Sequence, residues 1–319
     1  MSNQCLPFLK WAGGKRKITT LLSESFPPEF HKNVGDYFEP FVGGGALAFS
    51  LGDSTTLGHV SGSRIHINDM NPDLVLTYQV IRDSLPELIQ KLDFISKEFL
   101  SLEMPPDKSH KSPEIDTSGI ENRQDYFYRV RAAEPTEDID IAARLMFLNK
   151  TCFNGLWRVN SKGKFNVPYG HHKNPSLYDP ANLAECSRRL QGAEITHLEF
   201  HEAVSAAREN DLVYFDPPYI PLNLTSSFSQ YSKNDFGLED QRKLANTIQE
   251  LTKRGVFVIL SNSDTPQTRE IFSEVLSLRR LLMSRFISAS ASTREPVYEV
   301  IGTNFEVSKG SLLSELELI

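Results

Sequence analysis

The chain has 319 residues, 39% of them hydrophobic and 24% charged, with a formal net charge of −7. This is the composition of an ordinary soluble protein, long enough for one large α/β domain with a second domain inserted in it. It excludes a membrane-spanning protein, since no apolar run approaches the length of a span. Met1 to Lys17 also lacks the apolar core of a signal peptide. Cys5, Cys152 and Cys186 are odd in number, far apart in sequence and in no metal-ligand spacing. They predict free thiols in a reducing cytoplasm.

Near the N-terminus, Gly13-Gly14-Lys15 follows Trp11 but lacks the glycine spacing and the Ser/Thr of a phosphate-binding loop. It fits a ligand-lining segment or a plain turn equally well. Asp36 to Phe49 reads as a strand, a turn at Gly43, Gly44 and Gly45, and then a helix from Ala46 whose N-terminal dipole faces the turn. Ile65 to Asp69 is a second short strand ending in a carboxylate, 26 residues after Gly43. Nucleotide sites place an acid on the ribose hydroxyls at about this spacing. Gly52 to Ser63 is expected to be a surface loop.

Apolar periodicity predicts helix over Asn71 to Leu100, Tyr126 to Arg131 and Ile141 to Asn149. Glu103 to Arg123 is rich in Pro, Ser and Asp and reads as a loop without chemistry. Ile141 to Tyr178 contains no Asp or Glu but carries Arg144, Lys150, Arg158, Lys162, Lys164 and Lys173. Within it, Leu156 to Asn160 and Lys164 to Val167 flank a turn at Ser161 to Gly163. That is the pattern of a basic β-hairpin, with Phe153, Trp157 and Tyr169 among the charges. A two-stranded ribbon fits a major groove, and Arg is the usual reader of guanine there. Val275 to Arg294 is a second acid-free stretch, with Arg279, Arg280, Arg285 and Arg294, and on an acidic chain the two predict basic faces for a specific partner.

Ile195 to Phe200 predicts a strand, followed by a helix to Glu209. Leu212 to Phe215 predicts a strand buried on both faces, with Asp216-Pro217-Pro218-Tyr219 at its carboxyl end. Two consecutive prolines end the ladder and stiffen the turn. Ligands of open α/β sheets bind at this end. A carboxylate and a rigid carbonyl can together accept both hydrogens of an exocyclic amine, which frees its lone pair, while the Tyr219 ring offers a base a surface to stack on. A helix-capping Asp in a Pro-Pro turn explains the tetrapeptide equally well, and the rest of the chain decides. Ser226 to Phe236 reads as a Ser/Tyr-rich loop able to close over a base. Leu238 to Lys253 predicts an amphipathic helix. Val256 to Leu260, Leu276 to Leu282 and Val297 to Ile301 predict strands.

Five motifs in this order are Trp-Ala-Gly-Gly-Lys, Phe-Glu-Pro-Phe-Val-Gly-Gly-Gly, Ile-Asn-Asp, Asn-Gly-Leu-Trp-Arg-Val-Asn and Asp-Pro-Pro-Tyr. The set resembles the Dam-type (D12 class, alpha group) DNA adenine-N6 methyltransferases, from about Phe8 to about Asn304. The resemblance implies a class I, Rossmann-like sheet that binds S-adenosylmethionine, with an inserted, mainly helical DNA-recognition domain carrying the hairpin. Residues 1–75 and 190–319 would form the cofactor and catalytic domain, and 76–189 the target-recognition domain.

By the same resemblance, Trp11, Lys15, Phe41, Gly43, Gly44, Asp69, Phe200 and Asp216 hold the cofactor, although Glu199 stands where the family usually has Asp. Asp216, Pro217, Pro218 and Tyr219 are catalytic. Phe153 and Asn154 lie near an extruded adenine. Leu156, Arg158 and Asn160 lie where the family reads GATC, and Lys162, Lys164, Pro168 and His172 also face DNA. Phe153 and His172 stand where the family often has Tyr. Double-stranded DNA is the implied partner, with or without a cognate restriction endonuclease, and no metal is implied. The competing readings are a cytosine-N4 or RNA-adenine methyltransferase of the same fold, and a DNA-binding regulator without catalysis.

Overall fold

The computed structural model describes residues 5–11, 13–16, 18–33, 35–51, 64–105, 119–220, 236–283 and 297–319. In chain order its elements begin with α1 (Thr19–Ser23), α2 (Pro28–Asn33), β1 (Tyr37–Glu39), α3 (Ala46–Ser50) and β2 (Ile65–Asn68). Next come α4 (Pro72–Asp83), α5 (Leu85–Ser101), α6 (Arg123–Ala132), α7 (Asp138–Thr151), α8 (Pro180–Leu190), β3 (Glu194–Thr196) and α9 (Phe200–Ala203). The chain closes with β4 (Leu212–Phe215), α10 (Leu238–Lys253), β5 (Phe257–Ser263), α11 (Pro266–Phe272), β6 (Ser277–Met283), β7 (Val297–Thr303) and β8 (Glu317–Leu318). The expected loop at Gly52–Ser63, most of Glu103–Arg123, and all of Ser226–Phe236 except Phe236 lie outside the described residues.

Two compact units share the chain. One comprises Met1–Arg16, Gly43–Asp53 and Asp69–His197; the other comprises Lys17–Val42, Ser54–Asn68 and Leu198–Ile319. This division by packing draws its boundaries differently from the functional division expected from the motifs. The glycine turn and Asp69 fold with the helical block.

The second unit is built on a sheet. β2, β1, β4 and β5 are parallel neighbours in that order, and β7, β6 and β8 continue it antiparallel. β4 is buried at all four positions, as a central parallel strand covered on both faces must be. Its amino end is pinned by Asp211, whose carboxylate accepts from the Asp36 and Arg208 N–H groups, both at 2.8 Å. α10 lays Leu244, Ile248 and Leu251 into a core with Val213, Phe215, Val258, Leu260 and Phe272. It stops where Gly255 takes φ 76°, a conformation open to glycine without cost. β1 lies between β2 and β4, so the direction of chain progression reverses there. The carboxyl ends of the strands at such a point are where open sheets bind ligands.

The first unit is mainly helical around α7, which buries Ala142, Ala143 and every residue from Leu145 to Asn149. Phe99, Tyr126, Phe127, Phe147 and Tyr169 pack edge-on or tilted about it. The single helix expected over Asn71–Leu100 is two, α4 and α5, broken at Ser84. Pro86 removes a helical N–H there, and α5 starts afresh with it in the first turn. The N-terminal segment is stitched into this unit by reciprocal amide bonds. Asn182 joins both backbone groups of Leu6 at 2.8 Å, and Asn149 joins those of Lys10 at 2.9 and 2.7 Å. Cys5 and Cys186, distant in sequence, bring their free thiols to 3.3 Å.

Two further expectations are corrected. Phe200 does not end a strand, because β3 stops at Thr196 and Phe200 opens α9. The backbone at Leu198 is bonded instead by the Asn68 side chain, which accepts from its N–H at 2.8 Å and donates to its carbonyl at 2.9 Å. The acid-free stretches are not bare basic faces. Arg144 donates to the carbonyls of Val130 and Arg131 at the end of α6, and Lys150 is half-buried. Arg280 pairs with Asp264 and Glu317, acids supplied from elsewhere in the chain. Arg285 and Arg294 lie outside the described residues.

Candidate active site

In the sheet unit, the carboxyl edge collects the end of β1, the end of β2, the start of α9 and the turn after β4. Val42 N–H donates to the Asn68 carbonyl at 2.9 Å, and the Asn68 amide donates to the Pro40 carbonyl at 3.0 Å. Phe41 is thereby held half-buried, stacked on Phe200 at 5.6 Å and edge-on to Phe236 at 5.5 Å. Phe215 closes the base of this aromatic cluster, 6.3 Å from Phe41. Glu39, although buried, has the Tyr37 hydroxyl donating to it at 2.9 Å. Burial, then the Glu39 charge, drives the Tyr37 phenol far above its ordinary range.

Asp216 to Tyr219 leave β4 without regular secondary structure, as two prolines that cannot continue the ladder require. Neighbours fix the backbone of the turn. Gln241 on α10 donates to the Pro218 carbonyl at 2.9 Å, and Ser263 on β5 donates to the Ile220 carbonyl at 2.6 Å. Gln241 is itself held by the amide of Asn262 at 3.0 Å, and the side chains of Gln241, Asn262 and Ser263 are buried. Among the described residues nothing donates to the Pro217 carbonyl. The turn therefore combines a half-buried carboxylate at Asp216, an unclaimed rigid carbonyl at Pro217 and the half-buried ring of Tyr219. The Tyr219 hydroxyl donates to Glu299 on β7 at 3.1 Å. Burial, then the charges of Asp216 and Glu299, push its phenol well up, so it remains a donor.

The helical unit holds the other half of the expected cofactor set. Gly43 N–H donates to Asp69 Oδ2 at 3.0 Å, and Asn71 N–H donates to Oδ1 at 2.9 Å. Burial raises the Asp69 carboxyl, and those two N–H groups counter it. The glycine turn is shaped around side chains of its own unit. A Cβ at Gly43 would come within 2.7 Å of Trp11, and one at Gly44 within 3.2 Å of it. Gly45 takes φ 69° and abuts Tyr78, whose hydroxyl donates to the Gly43 carbonyl at 2.9 Å. α3 is only five residues long, so its dipole is far smaller than the sequence suggests. Lys15 is buried and donates to the Gly13 carbonyl at 2.8 Å.

In the same unit the basic hairpin exists, but as a loop tied at two points. A single bridge, Val159 to Phe165, marks the tip, and Cys152 to Tyr169 marks the base. Asn160 N–H donates to the Lys164 carbonyl at 2.9 Å, and Asn166 N–H to the Arg158 carbonyl at 3.0 Å. Asn160 Oδ1 accepts from the N–H groups of Lys162 and Lys164, which makes its oxygen a turn-former. Arg158, Lys162 and Lys164 are exposed, as are Phe153 and Asn154, and Asn154 adopts φ 58°. Leu156, Pro168 and His172 are half-buried. The Pro168 carbonyl accepts from Phe153 N–H at 2.9 Å, and His172 Nε2 lies 3.2 Å from the Cys152 carbonyl. Of the three interleaved aromatics, Tyr169 is core. Trp157 lies over Phe165 at 4.8 Å and stacks with Trp11 at 6.2 Å.

Sequence reading missed Asn68, Gln241, Asn262, Ser263 and Glu299 in the sheet unit, and Tyr78 in the helical one. Ser261-Asn262 at the end of an otherwise apolar strand was the one available signal, since buried polar residues need partners. Among the described residues no group of three or more His, Cys, Asp or Glu converges as a metal site, and no helix is long and apolar enough to cross a membrane.

Residues 11–284 match the family described as D12 class N6 adenine-specific DNA methyltransferase. The Type II methyltransferase M.MjaIII of Methanocaldococcus jannaschii is 38% identical over 306 residues, covering 94% of this chain and 99% of its own. The Type II methyltransferase M1.LlaDCHI of Lactococcus lactis subsp. cremoris is 34% identical, covering 94% of this chain and 95% of its own. A DNA adenine methylase of Haemophilus influenzae is 31% identical, covering 92% of each chain.

Proposed function

Because the chain belongs to the D12 class N6 adenine-specific DNA methyltransferases, we propose that it methylates an adenine extruded from duplex DNA within GATC, with S-adenosylmethionine as donor. Methylation of adenine in DNA follows from the membership, and the mainly parallel sheet agrees with the class I methyltransferase architecture. The donor, the target sequence and the residue roles are our reading. In it, residues 76–189 recognise the target, and 1–75 with 190–319 bind the donor and carry out the chemistry.

The observation that carries the reading is the turn after β4. Gln241 and Ser263 bond the Pro218 and Ile220 carbonyls, and the turn carries two further acceptors side by side, the Asp216 carboxylate and the Pro217 carbonyl. Two acceptors fixed by proline rings suit the two hydrogens of an adenine amine. Accepting both draws the nitrogen toward a tetrahedral geometry and makes its lone pair nucleophilic. Tyr219 stacks on the base, an interaction worth about 1–3 kcal/mol. The base must leave the helix, since its amine is out of reach inside the duplex. Arg158 and Leu156 read base edges, Phe153 and Asn154 face the vacated position, and Lys162, Lys164, Pro168 and His172 line the duplex.

The residues fit the proposed donor. Asp69 spends one lone pair of each oxygen on Gly43 and Asn71 and keeps acceptor capacity for a ribose diol. Phe41 and Phe200 offer flat apolar faces to an adenine, while Trp11, Lys15, Gly43 and Gly44 flank the methionine end. When bound, S-adenosylmethionine supplies an electrophilic sulfonium methyl.

Asp216→Ala should abolish methyl transfer to plasmid DNA while duplex affinity stays within a few-fold of the parent, because the hairpin is untouched. Turnover at the parental rate would remove Asp216 from the chemistry. Digesting the methylated plasmid with nucleases that respond differently to N6-methylated GATC reads the target. Methyl incorporation without altered GATC cleavage would reject that sequence and leave adenine methylation standing.

A further inference from the structure

We propose that Glu299 is a positioning residue for methyl transfer, acting by holding the Tyr219 ring in the orientation that receives the extruded adenine. The inference rests on the reading that Tyr219 stacks on that base. Glu299 lies on β7 directly opposite Ser263 of β5 in the antiparallel pairing. Directly opposite residues put their side chains on the same face of a sheet. Both reach the turn after β4, Ser263 through the Ile220 carbonyl at 2.6 Å and Glu299 through the Tyr219 hydroxyl at 3.1 Å. One cross-strand pair thus grips two consecutive residues of the turn, one by backbone and one by side chain.

The grip on Tyr219 has a directional consequence. The phenol oxygen lies on the axis about which the ring turns, so anchoring it fixes where that axis points. The phenol proton lies in the ring plane, because the oxygen lone pair is conjugated with the ring. An acceptor therefore also sets the tilt of the plane. A stacking surface needs both settled before the base arrives; otherwise their ordering is charged to the bound complex. A carboxylate is the stronger choice of acceptor, since charge-assisted hydrogen bonds are shorter and stronger than neutral ones. Burial of the phenol and the nearby Asp216 charge keep the proton on Tyr219, so the direction of donation does not reverse.

The test uses the full-length enzyme with Glu299→Ala, Glu299→Gln, Tyr219→Phe, Tyr219→Ala and the double variant Tyr219→Phe/Glu299→Ala. Rates are read on duplexes that keep the target adenine, and fluorescence on duplexes that carry 2-aminopurine in place of the adenine that plasmid digestion identifies as the target. Glu299→Ala should lower kcat roughly ten-fold, the size a hydrogen bond to a charged acceptor carries, with KM for DNA within two-fold of the parent. The extruded 2-aminopurine should be brighter in its complex than in the parent's, because it is stacked less squarely. Glu299→Gln keeps an acceptor oxygen and should recover most of both properties. In the Tyr219→Phe background, Glu299→Ala should add nothing.

Parental kcat and fluorescence in Glu299→Ala would overturn the proposal. So would an equal loss in the Tyr219→Phe background, since Glu299 would then act through something other than the phenol. Loss of cooperative melting in Glu299→Ala shifts the decision to Glu299→Gln and Tyr219→Phe, which must then lose less and about ten-fold respectively. If Tyr219→Ala itself turns over and fluoresces like the parent, it is the stacking role that fails. If Tyr219→Ala is impaired and Glu299→Ala is not, the stacking role stands and the positioning role falls.

Discussion

Arg158 and Asn160 lie two residues apart on the hairpin and are spent differently. Asn160 uses its side-chain oxygen to close the turn on Lys162 and Lys164 N–H. Arg158 is exposed and uses only Nε, donating to Asn166 Oδ1 at 2.8 Å. That bond aims the guanidinium and leaves its two terminal nitrogens for a bidentate contact, the commonest way of reading guanine in a major groove. Arg158→Ala should therefore lower discrimination at a single base pair of the target by about 1–3 kcal/mol. Methylation rates on duplexes with one substituted pair at a time measure it. Asn160→Ala should instead weaken binding to all duplexes alike, because it loosens the turn. An unchanged substitution profile for Arg158→Ala would take that residue off the reading list.

At the scale of elements, the strands and helices that carry strong periodicity were legible. β4 was read from an unbroken apolar run, and α10 falls at Leu238–Lys253, where the pattern placed it. Asp-Pro-Pro-Tyr falls directly after β4, where the end of the apolar run placed it. What escaped were contacts across long sequence separations. Nothing local in Gln241 announces that it reaches the Pro218 carbonyl, because on an amphipathic helix a glutamine reads as solvent-facing. α8 was overlooked even though Asp179 before Pro180 is a helix-start signal, with its carboxylate accepting from Asn182 N–H at 3.0 Å. Charge was misjudged for the same reason: Arg280 finds its acid in Asp264, far from its own strand in sequence. The link Asn262–Gln241–Pro218 makes α10 and β5 the fixed frame of the turn after β4. Gln241→Leu keeps the volume but leaves the buried Asn262 amide unpaired, which costs about 1–3 kcal/mol, and releases the Pro218 carbonyl. It should lower the unfolding free energy by about 1–3 kcal/mol in urea titration. It should also reduce kcat more than duplex affinity. Parental stability would mean the network contributes nothing.

For the molecule as a whole, a net charge of −7 opposes a polyanion. Binding therefore depends on a few exposed cations whose partners are not already in the protein. Arg144, Lys150 and Arg280 are withdrawn from that role by burial or pairing. Arg158 and Lys162 remain available, whereas Lys164 is held in an ion pair by Glu134, both side chains being exposed. The lysine lowers the Glu134 carboxyl, so the pair stays charged at neutral pH. Any phosphate that binds Lys164 must displace Glu134, and the competing carboxylate repels it as well. Glu134→Gln removes the competitor without touching the hairpin, and should tighten duplex binding a few-fold at low salt. Each phosphate neutralised adds about −0.9 to the slope of log affinity against log salt, so the slope should steepen by about that amount. In a Lys164→Gln background the steepening should vanish. Titrations at several salt concentrations read both quantities. An unchanged slope would mean that Lys164 serves the fold of the hairpin and that the electrostatic contact with DNA is made without it.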